Sequence, residues 1–148
     1  MPTCNAMPAS LRMTVGALLL LLGSWAQAAD FVVVVGAKSA AGNLTREQTA
    51  EIFLGRIRSF PGDGSAEPLD QAEFNDIRDE FYTKVTGKSA AQAKAYWAKM
   101  AFTGKGTPPR EGANTADIKK MLADNPRAVG YIEKSAVDGS VKVVFSAQ

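Results

Sequence analysis

The chain has 148 residues, 17 basic against 15 acidic side chains, one cysteine and no histidine. A balance that close to neutral argues against a nucleic-acid or anionic-membrane surface. The missing histidine removes Ser-His-Asp and Cys-His catalysis together with most transition-metal sites, so no catalytic residue and no cofactor is assigned.

The N-terminus reads as an export signal. Arg12 is the only charge before the apolar run Val15 to Leu22, and Ala26-Gln27-Ala28 supplies small residues at a cleavage site. A membrane anchor is the rival reading, but a spanning helix needs about 20 apolar residues, and Gly23, Ser24 and Gln27 interrupt this run. Cleavage after Ala28 is expected, with Met7 as an alternative start to Met1. Residues 29–148 then form one soluble domain carrying 16 basic and 15 acidic groups. Cys4 precedes the apolar run and so is not a lipoprotein cysteine. An export signal without a lipid anchor points to a periplasm.

Phe31 to Val35 is a β-branched run without alternation, the pattern of a strand buried on both faces. A small-residue loop follows, containing Ser39. Thr45 with Gln48 predicts a capping box, and Gly55 predicts the left-handed stop of that helix. Arg56 to Glu67 reads as a turn-rich connector around Pro61-Gly62-Asp63-Gly64. Pro68-Leu69-Asp70 is a candidate short strand. A second helix starts at Asn75 or Asp76, with Ile77, Phe81 and Val85 on one face, and Gly87 ends it.

Ser89 is expected to cap a third helix, Ala90 to about Phe102, with Ala93, Tyr96, Trp97 and Met100 as its apolar stripe. Thr103 to Pro109 forms a loop. Asn114 or Thr115 opens a fourth helix with Ile118, Met121 and Leu122 inward, closed by Asn125-Pro126. Val129 to Ile132 and Val141 to Phe145 finish as strands around an Asp138-Gly139 turn. This order predicts a two- or three-layer α/β domain, a mixed sheet flanked by about four helices.

Several of these pieces lie together in a known pattern. Leu44-Thr45-x-x-Gln48-x-x-x-Ile52-Phe53-Leu54-Gly55 and Asn125-Pro126-x-Ala128-Val129-Gly130-Tyr131-Ile132-Glu133 resemble segments of the phosphate-type substrate-binding proteins of ABC transporters. Arg78 to Tyr82, Ala95-Tyr96-Trp97 and Phe102 to Pro109 are similar to short, single-domain relatives of that family. The resemblance implies a single periplasmic-binding-protein-like lobe of class II type, non-covalent solute capture, and a phosphate-like anion as ligand. A membrane sensor, a transporter or another lobe is the protein partner expected of a module that kept this fold without its ligand.

The family's anion pattern, R-x-E-G-S-G-T-R-x-x-F, falls on Gln71 to Phe81. Glu73, Arg78 and Phe81 agree with it. Gln71, Asn75 and Ile77 replace its arginine, serine and threonine, while Phe74 and Asp76 replace its glycines. Asp76 would set a carboxylate against an anion. Two functions follow as alternatives: an anion-binding domain using Ser39, Asn75, Arg78 and Lys105, or an interaction module that kept the fold and lost the ligand. The Thr103 to Thr107 loop is not a nucleotide-binding loop, because a helix precedes it and prolines follow. Helix-stop chemistry explains its glycines better than an anion nest does.

Overall fold

The computed structural model describes residues 30–148; the expected signal segment, residues 1–28, lies outside them. Strand β1 (Phe31–Gly36) sits fourth in a five-stranded sheet ordered β5-β4-β6-β1-β7. The other strands of that sheet are β4 (Glu67–Gln71), β5 (Arg110–Gly112), β6 (Ala128–Glu133) and β7 (Val141–Ser146). β1 runs antiparallel to β6 and β7, whereas β4 runs parallel to β5 and β6. The sheet is mixed, as expected.

All six residues of β1 are buried, and the pleat sends them alternately to two cores. Phe31, Val33 and Val35 pack toward helices α1 (Arg46–Phe53) and α2 (Asp76–Phe81), among Ile52, Phe53, Ile77 and Phe81. Val32 and Val34 face α4 (Thr115–Asp124) through Ile118 and Leu122. Helices on both faces make three layers. Phe81 centres the larger core, stacked on Tyr131 with ring centroids 4.0 Å apart and edge-on to Phe53 at 4.7 Å.

Local signals place the helices where the sequence predicts them. Thr45 and Ser89 both form full capping boxes, with Gln48 and Gln92. α2 passes into a π-helical turn at Tyr82–Thr86 before Gly87, φ 73°, stops it. Helix α3 (Ala90–Phe102) buries Ala93 and Trp97, while Tyr96 and Met100 are only half-buried. Gly55 requires its lack of a side chain twice: its φ is +69°, and a Cβ there would lie 2.6 Å from the Trp97 ring.

The structure adds three features to these expectations. The connector after α1 holds a small hairpin, β2 (Ser59–Phe60) with β3 (Asp63–Ser65), around Pro61-Gly62. Arg110–Gly112, to which the sequence assigns no element, is an edge strand paired with β4. The expected turn at Asp138-Gly139 lies between β6 and β7, and β1 separates the two strands in the sheet. Among the described residues, no helix is long and apolar enough to cross a membrane.

Candidate functional site

The C-terminal ends of β4 and β6 lie at one edge of the sheet beside the start of β1, since Phe31 pairs with Glu133. There β4 turns into α2, and the residues that the anion pattern covers come together. Asn75 caps α2: its side-chain oxygen accepts from the Ile77 N–H at 3.1 Å. Its amide donates to Gln71 Oε1 at 3.2 Å. Gln71 itself is fully buried and donates through Nε2 to the Tyr131 carbonyl at 3.1 Å and to Thr115 Oγ1 at 3.4 Å. Thr115 in turn donates to Glu133.

Below this turn, donors converge on the buried carboxylate of Asp70. The Gln71 N–H reaches Oδ1 at 2.9 Å, Tyr131 donates its hydroxyl to the same oxygen, and Tyr82 donates to Oδ2 at 2.7 Å. Arg78 adds a guanidinium contact of 3.2 Å to Oδ2 and a second of 3.4 Å to Glu111. Both members of the Arg78–Asp70 pair are buried. Burial pushes the Tyr82 and Tyr131 hydroxyls far above their usual range, and the Asp70 charge pushes them further. Both therefore stay protonated as donors. Burial opposes the charge on Arg78, but Asp70, the two tyrosines and Glu111 outweigh it and raise its pKa.

The outward side of the turn is different. Phe74 is 93% exposed and has φ +71°, the one non-glycine residue in the left-handed region among those described. A bulky side chain there costs roughly 1–3 kcal/mol. Phe74 and Asn75 border two open hollows. One is also lined by Asp30, Asp76, Glu133 and Lys134, so three carboxylates face one ammonium. The other is lined by Glu73, Asp76, Arg78, Asp79, Ala90, Ala91 and Lys94, where Lys94 is paired with Glu73. That pairing holds Glu73 below its ordinary pKa. The described residues contain no group of three or more ligating side chains able to hold a metal ion.

Of the four candidate residues, Asn75 and Arg78 come together, but both are committed to internal partners. Ser39 lies elsewhere. β1 runs antiparallel to β4 and β6, so the loop after it falls at the opposite end of the sheet, in a hollow with Leu122, Pro126 and Ser140. The Ser39 hydroxyl accepts there from the Ala41 N–H at 3.2 Å. Lys105 borders a fourth hollow with Arg58, Ala101 and Gly106. The N–H groups of Gly104 and Lys105 donate to Ala101 and Met100 at 3.1 and 2.9 Å, closing α3 and leaving no anion nest at those two positions. Sequence reasoning left Arg78 a choice of Asp79 or Glu111 as an internal partner, of which the structure shows Glu111, and missed Asp70, Tyr82 and Tyr131. It noted Phe74 only as a lost glycine; an aromatic at a glycine position was the available signal.

No protein-family model matches the chain, and no curated protein does either. Solved structures do share its fold. A protein of the phosphate ABC transporter substrate-binding type from Clostridium perfringens, solved with bound phosphate, superposes with a TM-score of 0.63 at 22% identity over 78% of this chain. An ABC-type phosphate transport receptor from Vibrio cholerae gives 0.61 at 22%, and PstS from Borrelia burgdorferi 0.56 at 13%, each again over 78% of this chain. The match covers 44%, 45% and 46% of those three chains, less than half of each. The fold is that of a single substrate-binding-protein lobe.

Proposed function

We propose that this domain acts by non-covalent binding and catalyses no reaction, as an envelope interaction module built on a substrate-binding lobe. Its contact surface is the sheet end around Phe74, and its partner is a protein of the transporter or sensor class. One observation carries this reading. The residues standing where the family holds its anion are turned inward onto Asp70, Gln71 and Tyr131, while the same turn holds an aromatic ring out in solvent at a strained φ. Carboxylates of Asp30, Asp76 and Glu133 around the neighbouring hollow further disfavour an anion. Export through the segment ending at Ala28, and a periplasmic site of action, belong to the same proposal.

The second reading is capture of phosphate or a related anion. It is supported by the shared fold and by the phosphate bound in the Clostridium protein. Thermal unfolding of the purified protein, dialysed free of phosphate, separates the two. A ligand at 100 times its Kd adds about 2.7 kcal/mol, equivalent to roughly 8–12 °C for a domain of this size. The interaction reading expects no shift with millimolar phosphate, sulfate or organic anions. A shift of that size with phosphate would replace it with anion capture.

A further inference from the structure

Helix α3 has two unlike faces. Ala93 and Trp97 are buried, while Ala91, Ala95, Ala98 and Phe102 are all exposed on the opposite side. Their four-three-four spacing is that of a seam between two packed helices. Phe102 is 94% exposed at the C-terminal end of this seam, and Phe74 borders the N-terminal end beside Ala90 and Ala91. Over 13 residues the helix spans about 18 Å, so an apolar ring stands at each end of a short row of small side chains.

Charge divides along the same axis. Around the N-terminal end lie Glu73, Asp76 and Asp79; of the cations there, Lys94 is paired with Glu73, Arg78 is turned to Asp70 and Lys88 lies over the Tyr96 ring. Around the C-terminal end lie Arg58 and Lys105, with Lys99 exposed one turn before. A surface that is acidic at one end and basic at the other complements itself when a second copy is laid on it in the reversed, antiparallel direction.

We infer that α3 is the contact of a two-fold homodimer in which two copies of the helix pack antiparallel. Phe102 of each protomer enters the hollow beside Phe74, Ala90 and Ala91 of the other. The alanines let the helix backbones approach, and the antiparallel arrangement also opposes the two helix dipoles. A two-fold contact of this kind uses the same patch twice and closes. Four phenylalanine rings bury about 600–1,000 Å² between them. With the alanine rows added, the contact reaches the low end of specific interfaces, roughly 1,200 Å². The expected dimer is accordingly weak, forming at micromolar concentration.

The inference rests on the reading of Phe74 as a contact residue and assigns the hollow beside Ala90 and Ala91 to a second copy, leaving the rest of the sheet end to the transporter or sensor; Phe102 stands outside that reading. A failure here therefore leaves the expected indifference to phosphate untouched. The test is sedimentation velocity of the purified protein from about 1 to 500 μM, a range suited to a small interface. A monomer–dimer equilibrium is expected, weakened about ten-fold or more by Phe102→Ala, with circular dichroism unchanged because that side chain is exposed. Glu73→Lys with Asp76→Lys in one chain, and Arg58→Glu with Lys105→Glu in another, should each abolish self-association. Mixing the two variants should restore a heterodimer. Monomer at every concentration overturns the inference, and so does a dimer indifferent to Phe102→Ala or a charge-reversed mixture that fails to pair.

Discussion

Asp70 and Phe74 are four residues apart at the end of β4, and they sit in opposite physical situations. Asp70 is buried, with donors from Gln71, Tyr82, Tyr131 and Arg78 directed at its two oxygens. Phe74 is almost wholly in water on a backbone that its side chain disfavours. Polar atoms are inside and the apolar ring is outside, the reverse of ordinary burial. The inner arrangement ties β4, α2, the π-helical turn, β5 and β6 together. That frame holds the turn in place while Phe74 bears the strain. Gln71, Asn75 and Arg78 belong to the frame, and the Phe74 ring is what the turn presents outward.

The comparison breaks first at Asp70. Asp70→Ala leaves the buried Arg78 charge without its nearest partner, a loss of about 3–5 kcal/mol, measurable as a lower urea midpoint. Tyr82→Phe removes one hydroxyl donor to a buried carboxylate and should cost about 1.5–3 kcal/mol. The same equilibrium unfolding experiment reads it, and an unchanged midpoint would mean that Tyr82 contributes only packing.

Alkaline pH tests the same frame without mutation. Tyr82 and Tyr131 have folded pKa values raised above the unfolded value of about 10. The folded state then binds more protons than the unfolded state above that pH, so stability falls as pH rises. Stability should be nearly constant with respect to these groups up to about pH 9. Above about pH 10 it should drop by up to roughly 1.4 kcal/mol per pH unit for each tyrosine. Tyr82→Phe should remove one tyrosine's share of that slope. A slope unaffected by the substitution would remove Tyr82 from the account.

The smallest effect has the opposite sign. Phe74→Gly relieves about 1–3 kcal/mol of left-handed strain and exposes no core, so after glycine's greater freedom when unfolded, roughly 0.4–1 kcal/mol, the folded protein should gain about 1 kcal/mol. The same substitution should weaken self-association. A variant that is more stable but contacts less would show that the strain serves the surface. Lost stability would instead assign Phe74 to the frame.

The helices and the character of β1 were legible because their causes are local. Thr45 with Gln48 and Ser89 with Gln92 satisfy helix N–H groups within one turn, and the unbroken Phe31 to Val35 run already implies two covered faces. The candidate site was legible only at Asn75 and Arg78, which neighbour each other through the helix they share. Ser39 follows the C-terminal end of β1, and it could join Asn75 and Arg78 only if that end lay where the ends of β4 and β6 lie. Strand direction is a long-range property, and β1 runs the other way. Arg110–Gly112 has no strand signature of its own; its hydrogen bonds to β4 define it.

What the amino-acid order determined alone was therefore what neighbours within a few residues can decide: caps, stops, amphipathic faces, and the substitutions that depart from the anion pattern. Only the tertiary structure decided where the remaining charges point. A guanidinium at the start of a helix can turn outward to a ligand or inward to a carboxylate eight residues earlier. Packing of β4 against β6 set the inward choice for Arg78, by bringing Asp70 and Tyr131 into one buried cluster that exists only when distant segments meet.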